Sequence, residues 1–179
     1  DVRVSSVWAL VNFEEYKSLQ QAVGMLRDPV ERVRREVARA IGIYGSAKML
    51  KELQHILMDE NEVEPVKKAA ITGLGASSLK ESISILIEKL EKTDDPAEEK
   101  DITLALSGKT GTREARKLVE HFKDADPAMR QKITTVFKKM REKGEDVLVE
   151  LLREDIKSLN PFIAEILDAT GYVESLVRT

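Results

Sequence analysis

The chain of 179 residues has no cysteine, which excludes disulfides and thiolate metal sites. Aromatic residues make up only 4% of it, with a single tryptophan, Trp8. Amides are scarce too, three Asn and four Gln beside many Glu and Lys, a balance that suits a heat-adapted protein. The longest apolar stretch, Ile83-Ser84-Ile85-Leu86-Ile87, stops at Glu88, far short of the ~20 residues that cross a bilayer, so no membrane span is expected. Charge of one sign is also missing. With 29 Lys and Arg against 32 Asp and Glu, the net charge of −3 gives no global pull toward nucleic acid or anionic lipid. Zero cysteine and no signal peptide fit a cytoplasmic location. The start at Asp1 rather than Met leads us to expect a fragment of a longer protein.

Proline is rare but ordered. Pro29, Pro65, Pro96, Pro127 and Pro161 recur at steps of 36, 31, 31 and 34 residues, each opening a helix-like stretch. Proline is tolerated in a first helical turn because its missing N–H has no helical partner there. A helix-start signal at this period marks a repeat array. In the first clear copy, Val33, Val37, Ala40, Ile41 and Tyr44 follow the 3.6-residue period and predict one buried stripe. The pattern returns at Val66, Ala70, Gly73 and Leu74, at Ile102, Ala105 and Leu106, at Met129, Ile133, Val136 and Phe137, and weakly at Ile163, Ile166 and Leu167. Partner helices are expected at about 14–27, 46–58, 77–92, 111–123 and 144–155, which puts repeat boundaries near 14, 46, 77, 111 and 144. Glycines at 42–45, 73–75, 108–111, 144 and 171 read as turns that end helices, since glycine accepts left-handed backbone angles. Asp28, Asn61, Asp94, Asp124 and Asp155 are each followed six residues later by Arg34, Lys67, Lys100, Arg130 and finally Pro161. This column predicts an acid that caps the next helix and a cation that bridges successive repeats.

The residues Asp28-Pro29, Val33-Arg34, Ala38 and Ala40-Ile41-Gly42, echoed at Val66-Lys67, Ala70 and Gly73-Leu74-Gly75, resemble the HEAT-repeat family in its short, phycobilisome-lyase-like form. Tetratricopeptide and ankyrin signatures are absent. The resemblance implies an all-α fold, a right-handed α-α superhelix: a HEAT-like solenoid of about five helix pairs forming one array over residues 1–179. It also implies that the second helix of each pair lines the concave side.

Candidate chemistry is thin. Ser107-Gly108-Lys109-Thr110 looks like the end of a phosphate-binding loop, but Thr103 stands where that loop needs glycine, so a helix-ending turn is expected. Asp59-Glu60-Asn61-Glu62 opens like a calcium loop, yet Glu64 occupies its glycine position and Val63 a ligand position. His55 and His121 are 66 residues apart, two repeats, which is too far to share a metal ion. No nucleophile, base and acid assemble on one repeat, so no catalytic residues, no cofactor and no enzymatic activity are expected.

The remaining feature is the solvent ridge of the second helices. Arg32, Arg35 and Arg39 should occupy it, followed by Lys68 and Thr72, then by Lys132, Thr135 and Lys139, with the acidic Glu98, Glu99 and Asp101 between. Trp8 aligns with Arg39, either as a contact residue or as packing over a neighbouring helix. The ridge reads either as an ordinary solvated face or as a patterned groove for a protein partner with an acidic or mixed-charge segment. We expect a non-catalytic scaffold. The alternatives are nucleic-acid binding resembling HEAT-like DNA glycosylases, which the broken basic stripe disfavours, and a bilin lyase-like chaperone, which rests on resemblance alone. Tyr172 to Arg178 reads as a helix cut short, so flanking repeats or end-to-end self-association are expected.

Overall fold

The structure, a computed structural model, describes residues 2, 4, 5, 9 and 16–172. Among them there are ten α-helices, one 3-10 segment and no strand. The chain divides into two compact units, residues 1–105 and 106–179.

The first unit contains α1 (Tyr16–Ala22), which tightens into a 3-10 turn (Val23–Arg27), α2 (Glu31–Tyr44), α3 (Ala47–Met58), α4 (Glu64–Ala76), α5 (Lys80–Lys92) and most of α6 (Pro96–Ser107). The second contains α7 (Thr112–Asp124), α8 (Pro127–Met140), α9 (Glu142–Arg153) and α10 (Asn160–Thr170). Pro65, Pro96, Pro127 and Pro161 fall in the first two positions of α4, α6, α8 and α10, and Pro29 lies two residues before α2. The observed helices match the expected pairs, with α9 opening at Glu142 rather than 144.

Burial follows the period read from the sequence. Val33, Val37 and Ile41 of α2, Leu50, Leu53 and Leu57 of α3, and Val66, Ala70 and Leu74 of α4 are wholly enclosed. In the second unit Phe122, Ile133, Val136, Phe137, Leu148, Leu151, Ile163 and Ile166 do the same. Each such Val, Leu, Ile or Phe contributes about 1.5–3 kcal/mol of transfer free energy, which no single amphipathic hairpin could collect alone. Tyr44 is a correction: it is 58% exposed rather than part of the stripe, standing as the last residue of α2 beyond the buried Ile41 and Gly42.

The glycine reading is also corrected. Gly42, Gly73 and Gly75 lie inside α2 and α4, not in turns. A Cβ on Gly42 would sit 2.6 Å from the Gly73 backbone, and one on Gly75 would sit 2.9 Å from Ala105 Cβ. Glycine is there because successive second helices of this unit meet backbone to backbone, and they pack more closely than the first helices α3 and α5. Gly171 alone keeps the predicted role in full, closing α10 at φ 78°.

The acid–cation column is half right. Arg34 and Arg130 do bridge repeats, but their acids are Glu62 (2.9 Å) and Glu165 (3.2 Å). Both guanidiniums also donate to carbonyls of the preceding loop: Arg34 to Asp28 O (2.8 Å), Arg130 to Ala125 O (3.2 Å) and Lys123 O (3.0 Å). Arg130 further stacks between Phe122 and Phe162, 4.9 and 5.5 Å from the ring centres. Side-chain caps on α6 and α8 come from Asp95, which accepts from Ala97 N (3.0 Å), and Asp126, which accepts from Met129 N (2.8 Å), rather than from Asp94 and Asp124. Those two precede their helices directly, within reach of the orphan N–H groups.

Candidate functional site

The ridge residues fall in both units, and each group is described on its own. In the first unit, Arg32, Lys68 and Thr72 are exposed and Arg35 and Arg39 are half-buried. Arg35 reaches Glu36 (3.4 Å) and, across one turn, Glu31 (4.0 Å). Lys68 donates to Asp101 at 2.9 Å, 33 residues along on α6, so the cation expected to be available is paired with the acid expected to interrupt the stripe. Thr72 donates its hydroxyl to Lys68 O (2.8 Å), a back-bond within its own helix that leaves a methyl for any partner. Arg32 makes no ion pair among the described residues, and Arg39 Nε is enclosed without a hydrogen-bond partner.

Glu98 leaves the ridge altogether. It is only 8% exposed, ion-paired with Lys89 Nζ at 3.0 Å and hydrogen-bonded to Thr93, so it clasps the α5–α6 connection. The position it was expected to dominate shows Leu104 instead, 58% exposed and in the column of Arg39 and Thr72. Sequence reasoning passed over Leu104. Its signal was an apolar residue off the Ile102–Ala105–Leu106 stripe.

In the second unit Lys132 is half-buried and Thr135 and Lys139 are exposed on α8, with the Thr135 hydroxyl bonded to Gln131 O (2.9 Å). Lys139 belongs to a basic corner with Lys138, Arg141 and Lys143, all exposed, where cations suit the negative end of α8. The Trp8 reading lies outside the described residues.

The weaker motifs are occupied by structure. Lys109 follows the end of α6 in a turn closed by its own N–H to Leu106 O (2.9 Å), and burial pushes its ammonium pKa below the ordinary lysine range. In the 59–62 loop, Asp59 accepts from Asn61 N (2.9 Å), while Glu62 is held by Arg34, whose guanidinium these hydrogen bonds keep more firmly protonated than usual. Open clefts of about 240 and 210 Å³ flank the 3-10 turn, sharing Val23 and Glu52. Another of about 340 Å³ in the second unit is lined by Arg116, Glu120, Lys123 and Asp124, two cations and two acids that leave no net charge to select a ligand. No described helix is long and apolar enough to cross a membrane.

Compared with known proteins, residues 1–65 match the family model described as HEAT repeats. That match concerns the repeats and does not extend to the phycobilisome-lyase-like subtype. No curated protein matches the chain.

Proposed function

We propose, from the match of residues 1–65 to HEAT repeats, that the chain is a non-catalytic scaffold that docks a protein partner on the second helices of its first unit. The observation that carries this reading is the state of α2. Among the described residues Arg35 is ion-paired with Glu31 and Glu36, whereas exposed Arg32 and half-buried Arg39 make no ion pair, which leaves positive charge for a partner. An acidic or mixed-charge segment complements that surface. We place the protein in the cytoplasm, which cell fractionation checks. End-to-end self-association is a further element of the proposal, supported among the described residues by Val2, 82% exposed; light scattering at high concentration should show mass above the monomer.

The test is capture from the source cells by the immobilised chain, wild type against Arg32→Glu/Arg39→Glu. Reversing both charges should lower recovery of the specific partner by at least tenfold, and unchanged recovery would rule the reading out. A second reading, nucleic-acid binding, draws on the basic corner at Lys138, Lys139, Arg141 and Lys143. It predicts a duplex gel shift that weakens steeply with salt and is lost in Lys139→Glu/Arg141→Glu.

A further inference from the structure

We infer that the partner segment is extended, with acidic side chains at one end and a large apolar side chain about five residues away, lying across α2, α4 and α6. This rests on the reading above and gives the partner's chemistry and spacing.

The register comes from contacts between neighbouring helices. Arg39 O and Gly42 both face Gly73, offsets of 34 and 31, so Arg39 stands beside residues 70–73, Thr72 among them. Between α4 and α6, Gly75 faces Ala105 and Lys68 pairs with Asp101, offsets of 30 and 33, so Leu104 stands beside residues 71–74, again Thr72 among them. All three residues belong to the first unit. The spacing comes from the glycines. With backbones touching at Gly42–Gly73 and Gly75–Ala105, neighbouring axes lie near the close limit of ~8 Å, so two steps span ~16 Å. An extended chain at ~3.3 Å per residue covers that in about five residues.

The polarity comes from how the charges are used. At the α2 end, exposed Arg32 and half-buried Arg39 offer positive charge and make no ion pair among the described residues. In the middle, Lys68 and Asp101 neutralise one another and Thr72 presents a methyl. At the α6 end, Leu104 is exposed between charges of both signs, Lys100 and Asp101 a turn before it. A lone exposed leucine is ordinary. Here it closes a row whose other end is cationic, so a ligand gains from acid at one end and apolar surface at the other.

The probe is a fluorescein-labelled heptapeptide, Glu-Glu-Ser-Gly-Ser-Gly-Leu, titrated with the full chain up to millimolar concentration and read by anisotropy. The leucine peptide should bind roughly tenfold or more tighter than one ending in serine. A peptide with one spacer residue should lose the same factor. Leu104→Asp and Arg32→Glu/Arg39→Glu should each abolish the advantage, Leu104→Ala should reduce it, and Lys51→Glu, on exposed first-helix surface of α3, should leave it unchanged. Circular dichroism confirms that the variants are folded. Absence of saturable binding, indifference to spacer length or indifference to Leu104→Asp each overturns the inference, as does a Leu104 dependence seen only in self-association. If cellular capture is lost in Arg32→Glu/Arg39→Glu but complete in Leu104→Asp, the scaffold reading stands and this inference falls; if both variants capture fully, both fall.

Discussion

Replacing Gly42 with alanine tests how the binding row is assembled. The added Cβ would meet Gly73 C and Cα at 2.6 Å and Leu74 N at 2.8 Å. Carbon atoms rest at about 3.5–4.0 Å, so α2 and α4 must part by roughly 1 Å, and because every atom in the way is backbone no side chain can rotate aside. Such overpacking costs about 1–3 kcal/mol or more, and alanine's better helix propensity returns only about 1. We expect a net loss of about 1–2 kcal/mol, read as a lower urea midpoint in far-UV circular dichroism and a fall in Tm of roughly 2–8 °C. Gly24→Ala is the internal control: its Cβ would meet nothing within 4 Å, so it should be neutral or stabilising by about 0.5 kcal/mol. Gly73→Ala, aimed at Arg39 O at 2.6 Å, should resemble Gly42→Ala, and the double variant should cost less than the sum because the first parting of the helices makes room for the second. If Gly42→Ala proves as stable as Gly24→Ala, the backbone contact and the ~8 Å spacing built on it are wrong.

Three other outcomes are expected. Glu62→Ala strands the largely buried Arg34 without its acid and should destabilise the chain by about 3 kcal/mol in urea unfolding, whereas Glu62→Gln, which can still accept from Arg34, should cost less. The Tyr172 hydroxyl lies 2.8 Å from Phe137 O and 2.6 Å from Arg141 O, closing the α8 C-terminus, so Tyr172→Phe should cost about 1 kcal/mol at neutral pH. Burial raises the folded-state pKa of that phenol above its ordinary 10.0, so its contribution is complete below pH 10 and fades as pH climbs through the folded value; a pH series of urea midpoints should show this alkaline decline in the wild type and not in Tyr172→Phe. Arg141 links α8 directly to α9 at φ 57°, ψ −137°, a region suited to glycine, so Arg141→Gly should raise the thermal midpoint by the equivalent of about 1 kcal/mol.

The helix pairs were legible because their signals are local. A proline in the first turn, as at Pro65 or Pro127, and an apolar residue every three or four positions, as from Val33 to Ile41, are written in consecutive residues. What escaped was written across repeats. Gly42 looks the same in sequence whether it ends a helix or lets a neighbour approach, and only Gly73 opposite decides. Lys68 reads as an available cation until Asp101, 33 residues on, is set beside it. Glu98 reads as a solvated acid until Lys89 and Thr93 enclose it. Leu104 was invisible because an off-stripe leucine has no meaning until Arg39 and Thr72 give it a column.

The claim on which the rest depends is that a partner lies on the second helices of the first unit. A photo-crosslinking amino acid placed at exposed Thr72 of α4, and in parallel at exposed Lys51 on first helix α3, tests it in the source cells. A discrete protein adduct from position 72 and none from position 51 is the predicted result. Adducts from position 51 with none from position 72 would contradict it.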